Sequence, residues 1–172
     1  MNSLRFRLVL LLILIGVIPC VLLRIGMLNS YENRAVSLRT SEILSQAKIL
    51  ANQIVSNDYL ENSGSPTINA QLEQLSTIYV MIISDTFQVV KDTYKLDEKK
   101  TIISEEVIKS FYGEEITKYD SKYRYIEMTI PLVRTDQENE SRQVIGVMMV
   151  SVSTDSISLN LDYLATNTRI IE

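Results

Sequence analysis

Residues Leu8 to Leu23, LVLLLILIGVIPCVLL, form one unbroken apolar run of 16 residues, preceded by Arg5 and Arg7 and followed by no acidic residue before Glu32. A segment with no polar face has to be shielded from water on every side, which few folds of this size can arrange. The snorkelling reach of Arg24 lets a helix continue to Leu28, and roughly 20 residues at ~1.5 Å each cover the ~30 Å hydrocarbon core of a bilayer. Arg5 and Arg7 favour the cytoplasmic side. Residues 1–28 are therefore expected to be a short cytoplasmic N-terminus and a transmembrane signal anchor, single-pass in this chain, with 29–172 as an extracytoplasmic domain at the cell membrane.

Three other readings of the run compete with the anchor. A cleaved signal peptide needs a small-x-small site, and the run closes instead on Leu22, Leu23 and Arg24. A lipoprotein box would use Val17-Ile18-Pro19-Cys20, where Pro19 departs from the small residue the pattern requires before its cysteine. A buried helix of a soluble protein would need a core larger than the remaining residues supply.

Setting aside Arg5, Arg7 and Arg24 from the 17 basic residues leaves 14 against 21 acidic ones, a balance of −7 for the outer part. That sign disfavours nucleic acid or an anionic lipid surface as its partner. Cys20 is the single cysteine and lies inside the run, so no intramolecular disulfide can form and the domain is held by its core. The chain has no histidine, which removes His-dependent triads, His-ligated metals and a phosphoacceptor histidine. No Walker-type loop or Gly-rich dinucleotide turn is present among only five glycines. No cofactor, metal or enzymatic activity is expected of this chain alone.

From Asn29 to about Tyr59 there is no Pro or Gly, and Val36, Ile43, Ala47, Leu50 and Ile54 recur at the spacing of one helix face, widened by Leu44, Ala51 and Val55. One long membrane-proximal helix is expected, with Glu32, Arg34, Arg39, Glu42 and Lys48 in solvent. Its apolar face serves either the domain core or a homodimer seam. Asn62 to Pro66 breaks the chain, and a short helix runs from Pro66 to about Thr77 with Ile68, Leu72 and Leu75 on one side. Tyr79 to Ser84 then reads as a buried strand, Asp85 to Gln88 as a turn with Asp85 as its former, and Val89 to Thr93 as a returning strand. A helix is expected over Ile102–Tyr112, with Ile103, Val107, Ile108 and Phe111 at helical spacing and Gly113 ending it. Its neighbouring carboxylates Glu105, Glu106, Glu114 and Glu115 read as a wet face. Tyr123 to Val133 alternates, placing Tyr125, Glu127 and Thr129 opposite Ile126, Met128, Ile130 and Leu132. A polar loop with Asp136, Glu138 and Glu140 leads to an apolar strand over Val144–Ser153, the expected antiparallel neighbour. An amphipathic piece through Leu164 heads toward the membrane.

The fold class is thus α+β: an N-terminal transmembrane helix, a long membrane-proximal helix and an antiparallel sheet with flanking helices. The hairpin Ile82-Ile83-Ser84-Asp85-Thr86-Phe87-Gln88-Val89-Val90-Lys91-Asp92-Thr93 and the closing strand Val144-Ile145-Gly146-Val147-Met148-Met149-Val150 carry a resemblance. With the order of elements, they resemble the external Cache (PAS-like) sensor domains of Gram-positive bacterial two-component sensor histidine kinases. In that family the hairpin turn usually carries Gly where this chain has Gln88, and a short polar turn precedes the first strand where this chain runs Thr77-Ile78-Tyr79. The resemblance implies sensing of an extracellular ligand or protein, with the signal leaving through a second spanning helix after Ile170-Ile171-Glu172 to a cytoplasmic kinase module. The chain would then be the input half only. The same outer half would suit a chemotaxis receptor or a cyclase, and a self-contained membrane-anchored interaction domain is the alternative of another class.

Ligand-binding candidates are Tyr123, Arg124, Tyr125 and Glu127, grouped on or beside one strand. Arg124 would hold a carboxylate while the tyrosines line a cavity. The plainer reading is a solvated charged edge with two packing tyrosines.

Overall fold

A computed structural model describes residues 2–62, 65–74, 78–135 and 141–155, with the side chains of 2–10, Arg24, Ile25, Leu28, Asn29, Glu32 and Gln74 left undescribed. The expected positions of Leu75, of the Asp136 to Glu140 loop and of the amphipathic piece to Leu164 lie outside the described residues. The chain divides into two compact units, whose boundary falls between Arg39 and Thr40.

Helix α1 spans Asn2–Ser56 and includes Pro19. In the first unit, the described apolar residues from Leu11 to Leu23 are exposed, Leu12 and Leu23 among the most so at 68% and 67%. Among the described residues no helix is long and apolar enough to cross a membrane.

In the second unit α1 buries Ile43, Ala47, Leu50, Ala51 and Ile54, the stripe its spacing predicts. The helix stops because Asp58 turns left-handed at φ 48°. The Tyr59 amide then reaches back to the Ile54 carbonyl at 3.1 Å and the Asp58 amide to Val55 at 3.2 Å, a Schellman closure. Tyr59 and Ile54, the apolar pair that accompanies such a closure, are both fully buried. Tyr59 donates its hydroxyl to Asn69 Oδ1 at 2.6 Å, joining the end of α1 to α2, Pro66–Gln74.

The sheet holds β1 (Ile78–Ser84), β2 (Val89–Asp92), β3 (Ile116–Asp120), β4 (Tyr125–Thr135) and β5 (Arg142–Ser153), ordered β2-β1-β5-β4-β3 with all neighbours antiparallel. One face carries Ile78, Val80 and Ile82 of β1, Met148, Val150 and Val152 of β5, and Ile126, Met128, Ile130 and Leu132 of β4, all buried. Ile43, Ala47 and Leu50 of α1 line a crevice with Ile78, Val80 and Val150, so α1 covers this face. Pro131 is tolerated within β4 because β3 pairs only as far as Thr129, leaving the outer edge of β4 free at the proline. Gly146 of β5 is required by closeness: a Cβ there would lie 2.6 Å from the Ile83 carbonyl oxygen and 2.9 Å from Leu60 Cδ1.

Helix α3 spans Glu105–Phe111, starting three residues later than its spacing suggests. Ser104 sets the start by accepting the Val107 amide at 3.3 Å, and Thr101 is drawn into a bridge with Gln88. Ile103 is consequently exposed rather than on the packed face. Gly113, at φ 91°, closes the helix as expected, with Gly113 N–H to Ser110 at 2.9 Å and Glu114 N–H to Lys109 at 3.2 Å. Strand β3 has no counterpart in the sequence reading. It is a short edge strand with Thr117, Lys118 and Tyr119 exposed, so neither apolar alternation nor length marks it.

Candidate functional site

The sheet face away from α1 is only partly covered. Val107 of α3 packs with Met81, Ile83, Val89 and Val147, and Tyr79, Phe87, Ile102, Phe111 and Met149 close round that cluster. Thr129, on the same face of β4 as Tyr125 and Glu127 as its alternation predicts, is 1% exposed. One row further along, strand register aligns Tyr79 with Ser151, Ser151 with Glu127, and Glu127 with Lys118. Residues directly opposite across a ladder project to one face, so these four form a transverse row. Tyr79, Ser151 and Glu127 are half-buried. Tyr94 extends the row, stacked on Tyr79 with centroids 5.1 Å apart.

The electrostatics of the row are uneven. Glu106 of α3 takes the Lys118 ammonium, an ion pair that ties the helix to the edge strand. That bond holds the Glu106 carboxyl down at about 2. Glu127, the cross-strand neighbour of Lys118, goes the other way: burial first, then the Glu106 charge, push its carboxyl up. No hydrogen bond or ion pair joins Glu127 to another described side chain. The Tyr79 hydroxyl is raised by burial and by nearby Asp92.

Asp92 is a structural hub rather than a ligand group. It is fully buried, and its carboxylate accepts the amides of Tyr94 and Leu96 at 2.8 Å each and of Asp97 at 2.9 Å. The loop between β2 and α3 is thereby fixed around one side chain.

Tyr125 and Glu127 lie on β4, but Tyr123 and Arg124 precede it. Asp120 Oδ1 accepts the amides of Lys122 at 2.8 Å and Tyr123 at 2.9 Å, which ends β3 in a tight turn and delays β4 to Tyr125. Tyr123 is exposed beneath the Lys122 ammonium, 5.0 Å from its ring centroid. Arg124 is left-handed at φ 53°, and its carbonyl accepts both the Thr154 amide at 2.7 Å and the Thr154 hydroxyl at 2.8 Å. Its main chain therefore anchors the exit of β5. Glu105, Glu114 and Glu115 are exposed, the wet face expected of them, and Glu106 is half-buried; Glu105 pairs with Lys109 at 2.6 Å, Glu115 with Lys48 at 2.7 Å, and Glu106 with Lys118. Asp85 is exposed in the β1–β2 turn, as its residue type predicts.

The sequence reading missed Tyr79, Ser151, Lys118 and Glu106 as parts of this face. Tyr79 and Ser151 alternate with buried neighbours along strands that were read as wholly apolar, and strict period-two counting would have separated them. Lys118 was hidden with its strand. Among the described residues, no group of three or more His, Cys, Asp or Glu side chains is placed to hold a metal.

No protein-family model matches this chain, and no curated protein matches it.

Proposed function

We propose that this chain is the extracytoplasmic sensing part of a membrane-bound signalling receptor, in the manner of a two-component sensor histidine kinase, and that it performs no catalysis by itself. The observation that carries the reading is α1. One helix holds both the exposed apolar run from Leu11 to Leu23 and the stripe Ile43, Ala47, Leu50 and Ile54 that covers a sheet face. The proposed span is Leu8 to Leu28, sixteen uniformly apolar residues extended past Arg24, because apolar side chains exposed around a helix need a non-aqueous surround. Arg5 and Arg7 orient it with the N-terminus inside. The half-covered face with Tyr79, Ser151 and Glu127 is the proposed ligand side. Exposed Tyr31 and Leu38, on the membrane-proximal part of α1, supply the proposed contact with a second copy.

The membrane reading is tested by expressing the chain in bacteria with alkaline phosphatase, or separately a green fluorescent protein, fused after Glu172. Retention in membranes through an alkaline carbonate wash, with an active phosphatase and a dark fluorescent fusion, is expected. Release by the wash, or the opposite fusion pattern, overturns it.

A further inference from the structure

Across the sheet, the backbones of Tyr79 and Glu127 are two strand spacings apart, roughly 10 Å, with Ser151 alone between them. A small side chain flanked by two large ones makes a trough with Ser151 as floor, Tyr79 and Glu127 as walls, and Tyr125 at one end of the Glu127 side. At the other end the next row, Met81, Met149 and Thr129, lies under α3. The charge of the trough is not balanced. Lys118 is committed to Glu106 across the gap between β3 and α3, so the half-buried Glu127 carboxylate has neither a hydrogen-bond donor nor a salt-bridge partner of its own among the described side chains. Lys118 attracts Glu127 as well as Glu106, but its ammonium bond goes to Glu106, which leaves the Glu127 charge only partly offset beside the tyrosines.

Resting on the reading of this face as the ligand side, we infer that it takes a small protonated amine, whose ammonium pairs with Glu127 between the rings of Tyr79 and Tyr125. An ammonium supplies the missing donor, and its positive charge suits both the carboxylate and the tyrosine faces. An anionic ligand would meet an uncompensated carboxylate, while the expected holder of an anion, Arg124, sits in the β3–β4 turn with its main chain bound to Thr154. The Tyr79 hydroxyl lies close to Asp92, which leaves the ring face as its contribution.

The test uses the full chain in lipid nanodiscs with ¹³C-labelled tyrosine, titrated with propylammonium, propionate and propanol and followed by NMR. Saturable shifts of the Tyr79 and Tyr125 signals with propylammonium are expected, at least tenfold weaker in Glu127→Gln. That variant removes a half-buried charge and keeps the residue's shape, so it is expected to fold; unchanged dispersion of the remaining tyrosine signals verifies this. Amine binding that is undiminished in Glu127→Gln overturns the role of the carboxylate. Saturation by propionate or propanol but not by propylammonium overturns the ligand class while keeping the face as a ligand site. No response to any of the three overturns both the inference and the placement of the ligand side.

Discussion

The rings of Phe87 and Phe111 meet with centroids 4.8 Å apart and planes inclined by 59°, joining the β1–β2 turn to the last residue of α3. The contact explains an otherwise costly backbone. Phe87 N–H returns to the Ser84 carbonyl at 2.9 Å and Ser84 N–H to Gln88 at 2.8 Å, a three-residue hairpin whose third position is left-handed. Phe87 occupies it at φ 61°, where glycine is the usual residue. The turn residue under strain is therefore Phe87 and not Gln88. Replacement by alanine loses the ring and keeps the strained φ, whereas glycine loses the ring and relieves it. Phe87→Ala is expected to be less stable than Phe87→Gly by about 1 kcal/mol in urea unfolding. Equal stabilities would show that the turn carries no backbone cost.

Glu127 and Glu106 are expected to oppose each other in their pH dependence. The Glu127 carboxyl titrates higher in the folded chain than in the unfolded one, so the folded state loses stability as pH rises through that interval. Glu127→Gln should accordingly be more stable than the parent at neutral pH, and the advantage should vanish below the unfolded carboxyl value of about 4.3. Glu106 titrates lower when folded, so its contribution is present above the unfolded value and is lost as pH falls toward about 2. Glu106→Gln should be less stable at neutral pH and converge with the parent in acid. Thermal melts from pH 7 to pH 2 measure both, and parallel profiles for the two variants would contradict the assignment.

Gly146→Ala is expected to cost roughly 1–3 kcal/mol, because the added methyl meets a strand carbonyl oxygen of β1 that cannot rotate away. Denaturant midpoints check this. A control at Gly113, where a Cβ meets nothing within 4 Å but φ is 91°, should show backbone strain without a packing loss.

Ser110 is fully buried in α3, and its Oγ has no hydrogen-bond partner among the described residues. Removing the hydroxyl relieves a desolvated polar atom at the cost of a very small void. Ser110→Ala is expected to leave stability unchanged or raise it by up to about 1 kcal/mol, and a clear loss in chemical denaturation would reveal a bond that the oxygen does make.

The α1 stripe was legible from Ile43 to Ile54 because a helix repeats its burial every three or four residues, and the pattern holds over about three turns. The β4 face from Ile126 to Leu132 was legible for the matching reason at period two. What escaped was settled by single polar side chains. Ser104 moved the start of α3 past Ile102 and Ile103, and Asp120 moved the start of β4 past Tyr123 and Arg124. Both residues act by binding nearby amides, which leaves no trace in a hydrophobicity pattern. The transverse row was hidden for another reason: it joins positions 79, 118, 127 and 151, which only strand register brings side by side.

Strand β5 is the last in sequence among the described residues and central in the sheet, paired with β1 on one side and β4 on the other. Until it emerges during synthesis, the hairpins β1–β2 and β3–β4 each present an unpaired inner edge, and Ile82, Ile130 and Leu132 lack their neighbours. The two halves cannot lock together earlier, since no ladder joins them directly. Assembly of the domain thus waits on residues 142–153, a non-local closure that makes folding slower than the long N-terminal helix would suggest. It also makes premature release of the chain before that strand a route to aggregation through exposed strand edges.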